Sequence, residues 1–212
     1  MELLSVNVGM PRPLADRGEI VQSGIFKDPV SGPVHLGTLN LDGDGQADLR
    51  VHGGVHRAVY AYPHEHYSWW QRELGRPELA YGSFGENFTT RGLLEDEVFI
   101  GDVLKIGTAR VQVSQPRSPC FKLGIRLSDP SVPARLNAVQ RSGFYLRVLD
   151  EGVVAAGDAV TIEHRDAVRL TVREAYRLRH GGLNDRELLA RAANCEALTP
   201  GWRQAFRDLL GS

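Results

Sequence analysis

From residue 1 to about 165 the chain runs in short apolar stretches punctuated by glycine, proline and aspartate, the pattern of a β-barrel or sandwich with a few inserted helices. Strands are expected over 3–8, 20–22, 34–39, 59–61, 103–106, 110–114, 144–149 and 159–163. Gly101-Asp102 and Gly157-Asp158 both sit just before a strand, which suggests two similar barrel corners. Pro63 is placed to open a helix over 63–74 that Gly75 stops, with Trp70 and Leu74 on one face and its aromatics in the core. A second short helix is expected over 133–140.

The pattern changes after Ala167. Thr171-Val172-Arg173-Glu174 and Asn184-Asp185-Arg186-Glu187 both resemble capping boxes, and Thr199-Pro200 offers a cap followed by a first-turn proline. These starts predict two domains: a mainly β barrel over 1–166 and a small three-helix domain over 167–212. Leu178, Leu188, Leu189, Trp202, Phe206 and Leu209 supply the apolar faces of the tail. A unit this small is expected to dock on the barrel or on another subunit, with packing and dimerisation as its role.

The 212 residues are 42% hydrophobic and 24% charged, which suits an ordinary globular protein. A net charge of −1 gives no general attraction to nucleic acid or to an anionic membrane, so any anion site must be local. No stretch approaches the roughly 20 apolar residues that span a bilayer, and no basic leader precedes an apolar core, so a cytoplasmic location is expected. Cys120 and Cys195 are the only cysteines, which excludes a disulfide framework, a four-cysteine zinc site and a self-contained iron–sulfur cluster. Electrons for any redox chemistry therefore come from elsewhere.

Cys120 stands in Gln115-Pro116-Arg117-Ser118-Pro119-Cys120-Phe121-Lys122-Leu123, on a stiff loop at the end of a strand. Arg117 and Lys122 bracket it with positive charge, which favours the thiolate that attacks electrophiles or binds soft metals. On these residues alone, a half-buried cysteine with solvated cations stands beside that reading. Arg50-Val51-His52-Gly53-Gly54-Val55-His56-Arg57 could form a phosphate cradle, although taken alone it reads rather as a tight turn with solvated charges. Zinc at His52 and His56 is disfavoured by the glycine pair, and His64 and His66 are expected at the surface. Leu41-Asp42-Gly43-Asp44-Gly45 is a turn, since the glutamate of a calcium loop would fall at Gly53. Asn87, Thr89 and Thr90 could bond a heteroaromatic ligand, although a plain loop is the commoner meaning. Cys195, beside Glu196, is assigned no chemistry.

Taken in order, His52-Gly53-Gly54, Phe84-Gly85-Glu86-Asn87, the Cys120 run, Arg141-Ser142-Gly143-Phe144-Tyr145 and Gly157-Asp158, with the helical tail, resemble the MOSC-domain family and the bacterial YiiM type within it. The resemblance implies a β-barrel that binds the molybdenum cofactor (molybdopterin), with Cys120 as the metal's thiolate ligand. It further implies Arg117 and Lys122 as anchors, Arg50, His52, Gly53, Gly54 and Arg57 around the pterin or phosphate, and Glu86 and Asn87 lining or bracing the pocket. The implied activity reduces small N-hydroxylated compounds, such as hydroxylaminopurines and amidoximes, to amines with electrons from an external flavin or haem reductase. His56 is the proton-donor candidate, and a homodimer is a possible assembly. The alternative is a non-catalytic cofactor or sulfur carrier, because MOSC domains also end molybdenum-cofactor sulfurases. Pyridoxal phosphate enters only through those sulfurases, and this chain has no room for their other domain. A metal-free scaffold with a reactive thiol is the third reading.

Overall fold

Short runs rich in buried side chains, alternating with less buried ones only over parts of strands such as 109–112 and 144–147, build most of the expected strands, in a computed structural model that describes residues 1–16, 18–47, 53–181 and 183–211. The strands are β1 (Glu2–Val8), β2 (Arg12–Asp16), β3 (Glu19–Ser23), β4 (Asp28–Pro29), β5 (Val34–Leu36), β6 (Val59–Pro63), β7 (Phe88–Arg91), β8 (Val103–Ile106), β9 (Ala109–Pro116), β10 (Phe144–Asp150), β11 (Gly152–Val154) and β12 (Val160–His164). Eight of them form one mixed sheet in the order β12-β8-β9-β10-β6-β7-β1-β4, with β6 and β7 parallel. The sheet also meets itself: Leu3 N donates to Asp158 O (2.9 Å), Gly157 N to Leu3 O (2.8 Å) and Val160 N to Met1 O (3.0 Å). That seam closes a barrel and removes most of its exposed edge.

The two expected corners are alike. Gly101 and Gly157 share a φ of 93°, and the following aspartate caps each turn, Asp102 Oδ2 accepting from Phe99 N (3.0 Å) and Asp158 Oδ2 from Ala155 N (2.8 Å). Other elements differ from expectation. The strand expected over 34–39 stops at Leu36, because Gly37 N turns back to Asn40 O (2.9 Å). The 20–22 strand lies outside the barrel in a β2–β3 hairpin. Pro63 ends β6 in an extended conformation (ψ 126°) and opens no α-helix; a 3-10 turn (His64–His66) leads into α1 (Tyr67–Leu74), which Gly75 does end in the left-handed conformation. A further helix, α2 (Phe121–Arg126), begins at Cys120 where only a loop was expected, and α3 (Val132–Val139) falls where the second helix was.

The tail forms α4 (Val172–His180), α5 (Arg186–Ala193) and α6 (Pro200–Gly211). The Thr171–Glu174 capping box is present in full. At α5 the cap is Asp185, which accepts from Leu188 N (2.9 Å), and Asn184 plays no such part. Leu170, Val172, Leu189 and Phe206 share one apolar cluster with barrel residues such as Leu3, Val113 and Leu146, so the tail docks on the barrel. Backbone bonds reinforce the contact, with Ile100 N donating to Leu170 O (2.8 Å) and Val172 N to Val98 O (3.0 Å). A second cluster of Tyr60, Tyr62, Tyr67, Trp70, Phe84 and residues of α2 and α3 packs beyond β6. Among the described residues no helix is long and apolar enough to cross a membrane.

Replacing Thr171 by alanine removes the cap that accepts from Glu174 N. The expected loss is about 1 kcal/mol, read as a lower urea midpoint with an unchanged denaturant slope.

Candidate active site

The end of β9 delivers the thiol. Pro116 is the last residue of the strand, Arg117 N still reaches Gly143 O (3.3 Å), and Pro119 then denies the chain a donor until Cys120 caps α2, its carbonyl accepting from Leu123 N (3.0 Å). Gly143 must be glycine there, because its φ is 60° and a β-carbon would lie 2.5 Å from Ala61 O. Cys120 is half-buried and lines a cavity of about 340 Å³ between the barrel end and the tail.

The charge on that wall has one sign. Lys27, Arg57, Arg117, Lys122 and Arg179 line the cavity, and among the described residues no carboxylate does. Arg117 is buried, with its guanidinium 4.5 Å over the Tyr60 ring and Nη1 donating to Phe84 O (2.8 Å) and Tyr60 Oη (3.1 Å). Lys122 is tethered by Nζ to Gln22 O (3.1 Å), and Arg57 Nε lies 3.5 Å from Gln115 Oε1. Tyr60 and Tyr145 add phenols to the wall. Burial raises both pKa values against the pull of Arg117, so both stay protonated.

The carboxylates lie one layer back. Asp44 pairs with Lys27 in a buried salt bridge, accepts from Gly9 N (2.9 Å) at Oδ1 and accepts from Asn87 Nδ2 (2.9 Å) at Oδ2. Glu86 accepts from Gly82 N (2.9 Å), Phe84 N (3.0 Å), Thr89 Oγ1 (2.9 Å) and Tyr67 Oη. Burial raises its pKa, and those hydrogen bonds offset the rise only in part.

The structure sorts the expected residues. Cys120, Gly53, Arg57, Asn87, Arg117 and Lys122 meet at the cavity, whereas Gly54, which leads into the 3-10 turn (Val55–Arg57) that carries Arg57, does not line it. Glu86 does not line the cavity; its side chain turns inward and braces the loop over 82–86. Arg50 and His52 lie outside the described residues. His56 is not on the wall either, and burial, then Arg147, lowers its pKa. Thr89 and Thr90 belong to β7 and are fully buried, so neither faces a ligand. His66 is buried as well, contrary to expectation, with Nε2 2.8 Å from Glu95 Oε2, because the 3-10 turn rotates it away from the position that an α-helix would give. Cys195 is fully buried, which raises its pKa and fits its lack of assigned chemistry.

Lys27, Tyr60, Arg179 and Trp202 escaped the sequence reading of the site, although Tyr145 sat in a quoted motif. No local pattern marks Lys27, whose place depends on Asp44. Arg179 and Trp202 read only as parts of a helical tail.

The donor set fits a metal-bearing anionic cofactor better than a bare ion. Among the described residues no three His, Cys, Asp or Glu side chains group to hold a metal, so a metal at Cys120 would need its other ligands brought with it. Five cations and, among the described residues, no acid on the wall suit an anionic group such as a phosphate.

Comparison with known proteins agrees. A family model described as the MOSC domain matches residues 48–161, and one described as the YiiM-like 3-alpha helix domain matches residues 170–212. The uncharacterized protein YflK of Bacillus subtilis is 40% identical over 96% of this chain and 92% of its own. The crystal structure of YiiM from Geobacillus stearothermophilus superposes with a TM-score of 0.82 at 35% identity, covering 99% of this chain and 98% of that one. A protein named "Reductase" from Gibberella moniliformis is 36% identical over 86% of this chain, a region that makes up 33% of that protein. The chain belongs to the MOSC-domain family and is of its YiiM type. That membership associates it, at the level of the family, with the molybdenum cofactor.

Two variants test the layer behind the wall. Asp44→Ala leaves Lys27 buried without its counter-ion and is expected to cost about 3–5 kcal/mol in urea unfolding. For Glu86, the native state holds a proton above pH 4.5 that the unfolded chain has released, so its contribution to stability falls as pH rises through the raised native pKa. Unfolding free energies measured from pH 4.5 to neutrality should therefore fall more steeply for the native sequence than for Glu86→Gln.

Proposed function

We propose that this protein binds the molybdenum cofactor in the cavity at Cys120 and reduces N-hydroxylated compounds to amines with electrons from an external flavin or haem reductase. The observation that carries the proposal is a half-buried thiol on a cavity wall with five cations and, among the described residues, no acid. The name of the Gibberella moniliformis relative supports a reductive chemistry.

When bound, the cofactor supplies the two-electron redox couple and the remaining ligands of the metal. Cys120 gives the protein's own soft ligand, set at the N-cap of α2. Arg57, Arg117 and Lys122 neutralise the cofactor's anionic groups, while Asn87, its amide bonded to Asp44, Asn7 O and Tyr60 N, braces the wall behind them. Tyr145 Oη, kept protonated by burial, is the wall group placed to donate a hydrogen bond to the substrate's hydroxyl oxygen, and the protons come from water. Two electrons and two protons then convert R–NHOH to R–NH2 and water. Trp202 and the barrel end limit bulk water around the N–O bond.

The test is elemental analysis of protein made in a host that synthesises the cofactor and in one that does not. Native protein should carry molybdenum only from the first host, and Cys120→Ala should lose metal and hydroxylamine reduction together. An active, metal-free Cys120→Ala protein overturns the mechanism. Bound cofactor without turnover, given a competent donor and several N-hydroxylated substrates, would instead establish a carrier.

A further inference from the structure

The tail grips the segment that carries the thiol at two side chains. Thr199, just ahead of α6, donates from Oγ1 to Gln115 Oε1 (2.8 Å), inside the protein and one residue before the end of β9. His180, the last residue of α4, places Nε2 2.9 Å from Ser118 Oγ, two residues before Cys120. Between these grips the chain passes through Pro116, and beyond them through Pro119, neither of which can donate a backbone bond. His180 is itself held, its ring 4.5 Å from Tyr176 and 6.1 Å from Trp202, and Tyr176 Oη donates to Asn137 on α3. The grips therefore come from anchored groups.

We infer that Thr199 and His180 are positioning residues for Cys120: the barrel supplies the sulfur, and the tail sets where it points in the cavity. Packing alone accounts for the apolar faces of α4, α5 and α6. It does not require that two polar side chains from separate parts of the tail, the end of α4 and the residue before α6, bond residues three apart on the strand and loop leading to the thiol. What the sulfur is for rests on the function proposed above, but the grip itself is measured without any cofactor.

The experiment is the rate at which iodoacetamide alkylates Cys120 in metal-free, full-length protein, read by peptide mass spectrometry with thermal unfolding alongside. Cys195, fully buried, is the internal control for unfolding. Loss of one grip should free the loop, so Ser118→Ala, His180→Ala and Thr199→Val should each speed labelling of Cys120 by roughly fivefold, the factor that one neutral hydrogen bond commands. Cys195 should stay unlabelled, and the thermal midpoint should fall by no more than about 2–4 °C, the shift that one such bond commands in a chain of this size. Ser118→Ala with His180→Ala should be no faster than either alone, since both remove the same bond, and His180→Gln, whose amide can donate or accept, should slow labelling again. Unchanged rates in folded variants would overturn the inference. So would exposure of Cys120 and Cys195 together, which marks the tail as a stabiliser of the whole fold and nothing more. Because no metal is present, failure of the molybdenum reading leaves this result standing, and the reverse holds too.

Discussion

The Asp44 carboxylate is the tie on which the barrel end depends. It bonds the backbone where β1 has just ended, the ammonium of Lys27 and the amide of Asn87, three segments far apart in sequence. An ammonium taken out of water is costly without such a partner, and breaking a pair of this kind costs far more than the pair contributes. Its placement also decides the character of the cavity. A carboxylate on the wall would repel an anionic guest, whereas one layer behind it lets Lys27 fold inward and still leaves the surface positive.

The same arrangement recurs with Glu86, which is close to the cavity in sequence but faces away from it. Its oxygens order the turn over 82–86, and that turn presents Phe84 O to Arg117. Arg117 is thus fixed by groups that carry no net charge, and its own charge stays free of a carboxylate partner among the described residues. Preorganised cations of this sort need no rearrangement when a guest arrives.

How much could be read in advance followed from the range of the interaction. Cys120 was legible because two prolines and a strand end are local facts, and the tail because the Thr171–Glu174 capping box is written within four residues. The Gly-Asp corners were legible for the same reason. Lys27 was not, since nothing beside it signals that Asp44 folds over it, and neither was α2, because Pro119 and Cys120 masked a helix start with no conventional cap. His66 misled because an α-helix was assumed from Pro63, and a single 3-10 turn sends the ring inside to Glu95. Arg179 and Trp202 needed the docking of the tail, a long-range event, before they became part of the site.

Gly201 gives the molecule a latitude that its barrel lacks. It lies on the first turn of α6, on the cavity wall, and a β-carbon there would meet no other atom within 4 Å. Glycine at a helix position gives up helix propensity of about 1 kcal/mol relative to alanine. By contrast, the wall glycine Gly24 could take no side chain, because a β-carbon would lie 2.3 Å from Gly45 O. The room offered to a guest can therefore be rescaled from the appended helices, one substituent at a time, while the strands that present the sulfur keep their shape. Evolution or an engineer seeking a bulkier or slimmer occupant has an adjustable jaw facing a fixed one.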